Sequence, residues 1–341
     1  MRVCRWLFAA ALFVSGGPVH AQSVADFYKG TQIKLIISSD VGGGYDAYAR
    51  AIARYWGKHI PGNPTLVPQN MPGAGGVRAG NFLWEAAPKD GSAIGSLQNT
   101  VPFEPLLGNK QALFDPTKFQ WLGSPSQEIS VLTLWHTVPV NTIADAKKHE
   151  MILGASGSNS TPAFYARVLE AVFDIKIKLI SGYKGQTESL LGMERGENEG
   201  YSSAFWSSLK AVKPDWIRDK KIKFIVQYGL APTPELKDVP FALDLIQKPA
   251  DKQLMEVASA QLALGRPFLV PPNVPADRVK VLRTSLMETF KDPGYLADCE
   301  KQRLECDSPV TGDQLQDILA KAYATPKDVL DRLRNIYEAG K

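Results

Sequence analysis

Three consecutive glycines, residues 42 to 44, follow the β-branched run from Ile33 to Ser38 and precede a stretch with apolar residues at helical spacing. Where a strand of an open α/β sheet ends and a helix begins, unpaired backbone N–H groups and the helix dipole favour an anion. Glycine also lets a ligand approach the backbone closely. A second glycine-rich turn, Met71 to Gly76, occupies the equivalent place on the next strand and helix. A single turn of this kind would indicate only a tight turn, but the pair predicts a cradle for a negatively charged group.

The first turn also fits the dinucleotide-binding pattern G-x-G-x-x-A over residues 42 to 47. That fingerprint needs an acidic residue about 20 positions later to hold the ribose. No Asp or Glu occurs between Ala47 and Trp84. A nucleotide-dependent dehydrogenase is therefore disfavoured, and we expect no cofactor.

Hydroxyl residues cluster in the segment GASGSNSTPAF, residues 154 to 164, between a predicted strand and a predicted helix. Ser156 raises the alternative of an exported hydrolase. The elbow pattern G-x-S-x-G fails, however, because Ser158 stands where the second glycine is needed. Ser160 or Thr161 can instead cap the following helix, which is the commoner role of such residues.

Histidine and cysteine show no metal-binding or catalytic spacing. Beyond the first 21 residues the chain has His59, His136 and His149, and no two of them are four residues apart. The two cysteines beyond residue 21, Cys299 and Cys306, do not form a CxxC pair of the kind that binds zinc. The sequence therefore predicts no metal site and no catalytic triad, and it favours a binding protein over an enzyme.

Cys299 and Cys306 could form a disulfide in an oxidising compartment. On one continuous helix their Cα atoms would lie about 10 Å apart, which is beyond the reach of a disulfide. A bridge therefore requires the helix to end between them, near Arg303 or Leu304. The alternative is a pair of buried thiols.

Residues 1–21 have the composition of a secretory signal, with Arg2 and Arg5, an apolar run over residues 6 to 14, and small residues before Ala21. The apolar run is shorter than the roughly 20 residues needed to span a bilayer. We expect cleavage after Ala21 and a soluble mature chain in the periplasm. The formal net charge of the whole chain is only +4, which argues against a nucleic-acid partner, since such a protein carries a concentrated basic face.

The elements that carry these turns alternate between strands and helices, which is typical of a parallel sheet with crossover helices. The alternation runs from residue 33 to residue 97 and begins again after Trp121. Because 341 residues exceed what one hydrophobic core usually carries, we predict an α/β fold of two lobes. Each lobe is predicted to be a mostly parallel sheet flanked by helices, with residues 22–124 and 228–341 in lobe 1 and residues 125–227 in lobe 2.

These motifs resemble the periplasmic solute-binding proteins of tripartite tricarboxylate transporters, the TctC or Bug family. The family's P-G-G-G-x-D-x-x-A-R segment is matched from its first glycine onward by residues 42 to 50, with Val41 in place of the proline, and its N-x-P-G-A-G-G turn is matched by Asn70 to Gly76. Its serine-rich loop corresponds to Gly154 to Ser160 and its Y-K-G motif to Tyr183 to Gly185. Its P-x-x-x-P segment resembles Pro271 to Pro275. Order and spacing hold over nearly the whole chain after residue 21.

The resemblance implies a type II periplasmic binding protein, a Venus flytrap that closes on a small organic carboxylate and delivers it to membrane permease subunits. It implies a monomer that is not an enzyme. In the family the first two turns hold one ligand carboxylate through backbone N–H groups and ordered water, and the second lobe closes with hydroxyl groups. Carried over, the predicted ligand-binding residues are Ser39, Asp40, Val41, Gly42, Gly43, Gly44, Tyr45, Met71, Pro72, Gly73, Ala74, Gly75, Gln98, Ser156, Ser158, Asn159, Ser160, Tyr183, Ser202 and Ser203.

Departures from the family pattern bear on the solute. Asp40 stands where the family has alanine, and Tyr45 replaces a small hydroxyl residue. An acid beside an anion cradle weakens it unless the acid points away or meets a cationic group on the solute. Aromatic residues within the segment 201 to 206 predict a solute with an aromatic or apolar body, or else belong to the core. Asp46 and Arg50 are four residues apart on a predicted helix and are expected to pair with each other.

Two alternatives remain open from the sequence. One is the exported hydrolase with Ser156 as nucleophile. The other is a solute receptor that serves a signalling partner instead of a permease. A hydrolase would turn over an ester or amide and lose that activity in a Ser156→Ala variant, whereas a receptor would form no product.

Overall fold

The computed structural model describes residues 23–42, 44–157, 160–183 and 186–339. The predicted signal segment and the predicted site residues Gly43, Ser158 and Asn159 lie outside the described residues. The strands are β1 (Gln32–Ile37), β2 (Thr65–Asn70), β3 (Ala93–Ser96), β4 (Gln120–Ser124), β5 (Ser130–Trp135), β6 (Met151–Ala155), β7 (Ile177–Ser181), β8 (Gly200–Phe205), β9 (Ile222–Tyr228), β10 (Phe268–Val270) and β11 (Val310–Thr311). The α-helices are α1 (Val24–Tyr28), α2 (Gly44–Trp56), α3 (Val77–Glu85), α4 (Ile143–Ala146), α5 (Thr161–Phe173), α6 (Gln186–Glu194), α7 (Trp206–Val212), α8 (Pro214–Arg218), α9 (Ala242–Leu245), α10 (Pro249–Leu264), α11 (Ala276–Thr289), α12 (Pro293–Gln302), α13 (Gly312–Tyr323) and α14 (Lys327–Glu338).

The first sheet has the strand order β11-β4-β10-β3-β1-β2. Strand β1 lies between β2 and β3 and is parallel to both. Its residues from Leu35 to Ile37 are all buried, as expected for a parallel strand with both faces covered by other elements. The short strands β10 and β11 are antiparallel to their neighbours. The sheet is therefore mixed, with the predicted strand-turn-helix units forming its parallel part.

The second sheet has the order β7-β6-β8-β5-β9. Strand β6 is parallel to β7 and to β8, whereas β5 runs antiparallel to both of its neighbours. Helices α5 and α6 pack on β8. The predicted α/β architecture with two sheets flanked by helices is confirmed. The prediction that each sheet is mostly parallel is wrong, because both sheets are mixed. The antiparallel strands were not predicted. The prediction relied on strands that alternate with crossover helices, and antiparallel strands such as β5 need no crossover helix.

The chain passes from the first sheet to the second between β4 and β5, and it returns to the first sheet at β10. On the return, α10 packs against α5 and also against α13 and α14. Helix α14 touches the second lobe as well, because Arg332 donates a hydrogen bond to the carbonyl oxygen of Ala171 in α5 at 2.9 Å. The predicted lobe boundaries near Ser124 and Tyr228 stay predictions, since helices α10 and α14 contact elements of both lobes.

Helix α2 is fixed by the buried side chain of Trp56 at its C-terminal end. The Trp56 ring lies edge-on to Phe268 with the ring centroids 5.8 Å apart. Its Nε1 donates a hydrogen bond to Ser285 Oγ at 2.8 Å. Burying an aromatic ring of this size stabilises the fold by about 2 kcal/mol or more. Because α2 is rigid, this anchor at its C-terminal end also fixes its N-terminal end, where the first glycine turn lies.

A disulfide joins Cys299 and Cys306, whose Cα atoms lie 6.4 Å apart. Helix α12 ends at Gln302, and Arg303 follows in the left-handed conformation with a φ of 56°. The chain turns there, at the position where the sequence requires the helix to stop if the bridge forms.

Within the described part of the chain, no helix combines the length and the apolar composition that crossing a membrane requires.

Candidate functional site

A cavity of about 600 Å³ lies between the two sheets. Its walls come from the first lobe, from the second lobe and from helices α10 and α14. The lining residues are Ala74, Gly75, Gln98, Thr100, Glu104, Leu107, Asn109, Gln111, Ser156, Ser160, Thr161, Pro162, Phe164, Gln186, Tyr201, Ser203, Phe205, Gln261 and Tyr337. A volume of this size suits a small-molecule ligand.

The second glycine turn presents its backbone to this cavity. Ala74, Gly75 and Gly76 have φ values of 48°, 64° and 99°, so three successive residues are left-handed. The N–H of Gly76 donates to the carbonyl oxygen of Gly73 at 2.9 Å. For the N–H groups of Ala74 and Gly75 we find no acceptor among the described residues. Turns in which successive N–H groups point to one side form concave sites for anions.

Ala74 is strained in this turn. A left-handed conformation costs a residue with a Cβ atom roughly 1–2 kcal/mol. Such strain persists only where the surrounding structure enforces it, and it is frequent at ligand sites. The turn is enforced by close packing at Gly76, where a Cβ atom would lie 2.6 Å from Val101 Cγ2 and 3.2 Å from Ser38 Cβ. The close packing of Gly76 against the end of β1 thus holds the strained backbone of Ala74 at the cavity wall.

Gln98 reaches the cavity from the end of β3. Its backbone N–H donates to Ser38 Oγ at 2.8 Å, and its Nε2 donates to the carbonyl oxygen of Ser38 at 3.3 Å. These bonds fix Gln98 beside the second glycine turn, since Ser38 also contacts that turn at Gly76.

The first glycine turn is organised around the buried carboxylate of Asp46. Asp46 Oδ2 accepts from the N–H of Gly42 at 2.9 Å. Its Oδ1 accepts from Arg50 Nε at 2.8 Å and from Asn70 Nδ2 at 2.9 Å. Burial alone would raise the pKa of Asp46, but the hydrogen bonds from Gly42, Asn70 and Arg50 outweigh it and hold the pKa below its ordinary value. The predicted pairing of Asp46 with Arg50 is confirmed.

Asn70 connects the two glycine turns. Its Nδ2 donates to the carbonyl oxygen of Ser39 at 3.0 Å as well as to Asp46. Its Oδ1 accepts from Arg50 Nη2 at 2.7 Å. Asn70, which precedes the second turn, is therefore hydrogen-bonded to Ser39 and Asp46 of the first turn region, and these bonds hold the two turns together.

The serine-rich loop leads into the N-terminus of α5. Ser160 Oγ donates to the carbonyl oxygen of Gly157 at 2.6 Å, and no side chain of the described residues caps the helix. Thr161 and Pro162, the first two residues of α5, line the cavity. Uncapped N–H groups and the positive end of the dipole of this 13-residue helix favour an anion there.

Gln186, the first residue of α6, adds a buried donor to the second lobe. It lines the cavity. Its Nε2 is buried and has no hydrogen-bond partner among the described residues. A buried amide donor without a partner is costly, and a ligand acceptor in the cavity would satisfy it.

An aromatic wall closes the cavity on the side of the second lobe and α14. It consists of Phe164, Tyr201, Phe205 and Tyr337. Phe164 and Tyr337 meet edge to face with centroids 6.2 Å apart. Burial raises the pKa of Tyr337 to about 12, so this phenol stays neutral. Tyr201 and Phe205 belong to the aromatic segment noted in the sequence, whereas its third aromatic residue, Trp206, does not line the cavity.

Glu104 is the only charged side chain among the described residues that line the cavity. Its Oε2 accepts from Asn109 Nδ2 at 2.8 Å and from the Tyr337 hydroxyl at 3.4 Å. No lysine, arginine or histidine of the described chain contributes to the lining.

The structure brings together only part of the predicted ligand set. Six predicted residues line the cavity: Ala74, Gly75, Gln98, Ser156, Ser160 and Ser203. The predicted residues that lie elsewhere in the described chain are Ser39, Asp40, Val41, Gly42, Gly44, Tyr45, Met71, Pro72, Gly73, Tyr183 and Ser202. Asp40 is exposed, and Val41 is 72% exposed.

Three of the residues outside the cavity wall have structural contacts that account for them. The Tyr45 hydroxyl accepts from the N–H of Asn99 at 3.0 Å, and burial raises its pKa to about 12. The Tyr183 hydroxyl accepts from Asn198 Nδ2 at 3.0 Å. Ser202 Oγ donates to the carbonyl oxygen of Pro162 at 2.6 Å, which supports the start of α5 from below.

Sequence reasoning missed several lining residues: Thr100, Glu104, Leu107, Asn109, Gln111, Gln186, Gln261 and Tyr337. Tyr337 lies on α14, more than 200 positions from Glu104 in the chain. Its spacing from the buried Leu330 and Leu333 indicates only the inner face of an amphipathic helix. No sequence signal would have placed it at the site.

Among the described residues, no group of three or more His, Cys, Asp or Glu side chains is arranged to hold a metal ion.

No protein-family model and no curated protein sequence matches the chain. Among solved structures, it is similar to a TctC solute-binding protein from Polaromonas, solved without ligand, with 19% identity and a TM-score of 0.71 over 92% of this chain and 99% of that one. It is similar to an R. palustris protein solved with adipate, with 17% identity and a TM-score of 0.61 over 91% and 97% of the two chains. It is also similar to MatC from Rhodopseudomonas palustris, solved with bound malate, with 16% identity and a TM-score of 0.60 over 90% and 99%. The chain therefore has the two-lobed fold of the TctC periplasmic solute-binding proteins.

Proposed function

We propose that this protein is an extracytoplasmic receptor that captures a small organic carboxylate between its two lobes and delivers it to a tripartite tricarboxylate transporter. The observation that carries the proposal is the pair of anion-favouring backbones on opposite sides of one cavity. The left-handed turn at Ala74 and Gly75 faces the cavity from the first lobe. The N-terminus of α5, which has no side-chain cap among the described residues, faces it from the second.

These donors suit an anion that must be both held and released. Backbone N–H groups hydrogen-bonded to a carboxylate contribute about 1.5–3 kcal/mol each. They do this without a buried cation, whose own desolvation would have to be overcome each time the cavity empties. Gln186 Nε2 adds a donor from a side chain. A solute carboxylate would therefore replace water at several donors and join the two lobes.

The solute is proposed to have an apolar or aromatic body beside its carboxylate. The wall of Phe164, Tyr201, Phe205 and Tyr337 supports this, because aromatic rings prefer apolar surface or another ring edge. Two proteins of this fold were solved with dicarboxylates, adipate and malate. We accordingly place small dicarboxylates and aromatic carboxylates first among the candidates.

The cellular setting is part of the same proposal. The protein would act in the periplasm after removal of residues 1–21, as a monomer that docks on the permease subunits. The TctC fold and the signal-like composition of the N-terminus support this setting. No described residue that lines the cavity is a histidine, so binding is favoured over hydrolysis at Ser156.

The proposal is tested by a thermal-shift screen of mono-, di- and aromatic carboxylates on the mature protein. A ligand that binds only the folded state raises the melting temperature by mass action, by an amount that grows with its concentration. Matched alcohols or amides of the same carbon skeleton serve as controls and should give no shift. A screen in which no carboxylate shifts the transition would contradict the proposal.

A Ser156→Ala variant separates the receptor from the hydrolase. A receptor retains most of its affinity in this variant, since one neutral hydrogen bond is worth about 1 kcal/mol. A hydrolase would release product from an ester or amide in the wild type and lose that turnover in the variant. Product formation that depends on Ser156 would overturn the receptor function.

Gln186→Leu tests whether the buried amide reaches the solute. Removing one donor to a carboxylate should weaken binding by about tenfold, measured by calorimetry with the best carboxylate from the screen. Gln186→Glu should weaken binding further, because it places a negative charge next to the carboxylate of the solute. Equal affinity in the wild type and both variants would exclude Gln186 from the binding site.

A further inference from the structure

The charge of the cavity does not match that of a simple dicarboxylate. Among the described lining residues Glu104 is the only Asp, Glu, Lys, Arg or His. A carboxylate that faces a solute with two negative charges repels one of them, and like charges cost several kcal/mol where water is excluded. A cationic group on the solute would offset this repulsion.

Glu104 keeps an unused acceptor. Both of its hydrogen bonds, from Asn109 Nδ2 and from the Tyr337 hydroxyl, go to the same oxygen, Oε2. Among the described residues, Oε1 has no hydrogen-bond donor and Glu104 forms no ion pair. An ionised carboxylate can accept at about four positions. Glu104 therefore has room for another donor, and it is a lining residue of the cavity.

The surroundings of Glu104 favour a cation. Tyr337 donates its hydroxyl to Glu104, and its ring meets that of Phe164 edge to face, so an aromatic pair of the cavity wall begins at the carboxylate. Aromatic faces attract an ammonium or guanidinium group by about 0.5–2 kcal/mol. The anion-favouring elements are the second glycine turn and the start of α5, whereas Glu104 follows the 3-10 turn Val101–Phe103.

We propose that Glu104 selects a carboxylate solute that also carries a cationic group, such as the ammonium of an amino-bearing carboxylate. This inference rests on the proposed function, because the solute carboxylate is assigned to the backbone donors. The cationic group donates to Glu104 Oε1 and lies against Phe164 and Tyr337. From the sequence, Asp40 is a candidate for meeting a cationic group on the solute. This role is assigned to Glu104 instead, since Asp40 is exposed and does not line the cavity.

A purely structural role for Glu104 makes a different prediction. Glu104 would then only hold Asn109 and Tyr337 in place. Glu104→Gln separates the two roles, because glutamine keeps one carbonyl oxygen for those donors and removes the charge. Asp40→Asn is the matched control, since it removes one carboxylate from an exposed position outside the cavity wall.

The experiment is isothermal calorimetry on the full mature chain with two matched ligand pairs. The pairs are adipate with 2-aminoadipate, and 3-phenylpropanoate with phenylalanine, so the members of each pair differ by one ammonium group. In the wild type, the aminated member of at least one pair should bind about tenfold or more tighter than its partner, as expected for one charge-assisted hydrogen bond. Glu104→Gln should remove that preference and leave the unaminated member equal or tighter, whereas Asp40→Asn should keep the preference.

Three results would overturn the inference. The first is wild-type protein that binds the unaminated member of each pair more tightly, which leaves the carboxylate receptor intact. The second is Glu104→Gln that weakens both members of a pair by the same factor, which indicates a structural role. The third is no binding of any of the four ligands or of any carboxylate in the screen, which removes the proposed function and this inference with it.

Discussion

The two glycine-rich turns look alike in the sequence, yet the structure uses them differently. At the first turn the N–H of Gly42 donates to the buried carboxylate of Asp46. At the second turn the N–H groups of Ala74 and Gly75 have no acceptor in the described chain, and both residues lie at the cavity wall. The first turn is thus closed by the protein's own anion, whereas the second is open to an anion from outside.

The difference lies in the residues after each turn. Asp46 follows two residues after Gly44 and folds back onto the turn, as an acid near a helix N-terminus commonly does. The second turn is followed by Val77 and Arg78, and no acid occurs before Glu85. A glycine run therefore indicates a site for a solute anion only where the chain supplies no carboxylate of its own nearby.

The largest effect is expected from placing an acid at the open turn. Gly75 has a φ of 64°, and a Cβ atom there would meet nothing within 4 Å. Asp and Asn both tolerate this conformation, so Gly75→Asp and Gly75→Asn differ only in charge. Gly75→Asp should weaken carboxylate binding by about 100-fold or more, since its charge competes with the solute for the same N–H groups. Calorimetry with the best ligand of the screen measures the ratio.

The asparagine variant is the control for this substitution. It should lose much less affinity than Gly75→Asp and should have a similar free energy of unfolding. If both variants bind as the wild type does, the open turn is not part of the site and the contrast between the two turns disappears.

A smaller effect, and one on stability, is expected at the closed turn. Asp46→Asn removes the charge that accepts from Gly42, Arg50 and Asn70. Charge-assisted bonds contribute about 1.5–3 kcal/mol, so we expect the free energy of unfolding to fall by about 2 kcal/mol. Carboxylate affinity should change less than in Gly75→Asp. A large loss of affinity without a loss of stability would show that the first turn contacts the solute directly.

The pH dependence of stability tests the same carboxylate. The folded-state pKa of Asp46 lies below its ordinary value of 3.8, so its contribution is present above that value and is lost as the pH falls through the folded pKa. Wild-type protein should therefore lose stability between about pH 4 and lower pH more steeply than Asp46→Asn. Denaturant unfolding at pH 7, 4 and 3 gives the difference, and parallel curves would mean that Asp46 is not stabilised in its charged form.

The fold could be predicted where structure is local in the chain. Strands β1, β2 and β3 alternate with helices along the chain, as do β6, β7 and β8, and such alternation is visible in the sequence. Strands β10 and β11 are three and two residues long. They pair with strands far away in the sequence, as in Val310 opposite Ser124. Such short pairings depend on tertiary packing, which leaves no periodic signal.

The site could be predicted only where the backbone carries it. Ala74 and Gly75 are recognisable because glycine and turn residues report backbone conformation. Glu104 is not recognisable, since it follows a single 3-10 turn, Val101–Phe103, in a segment without a motif. Tyr183 was assigned to the ligand, yet its ring lies beside Gly154 and Gly192, where a Cβ atom would approach it to 3.0 and 2.7 Å. Two small residues facing one tyrosine are a packing signal that the motif obscured.

The smallest expected effect concerns the strain at the open turn. Ala74 has a φ of 48°, and glycine adopts this conformation without the roughly 1–2 kcal/mol that a Cβ atom costs. Glycine also gives the unfolded chain more freedom, which offsets about 0.4–1 kcal/mol of that gain. Ala74→Gly should therefore raise the free energy of unfolding by about 0.5 kcal/mol and leave the carboxylate affinity within about twofold, because the N–H groups of the turn remain. Denaturant unfolding and calorimetry on the same preparation test both statements. Lower stability in Ala74→Gly would mean that the turn is not strained there, and the contrast with the first turn would then depend on hydrogen bonding alone.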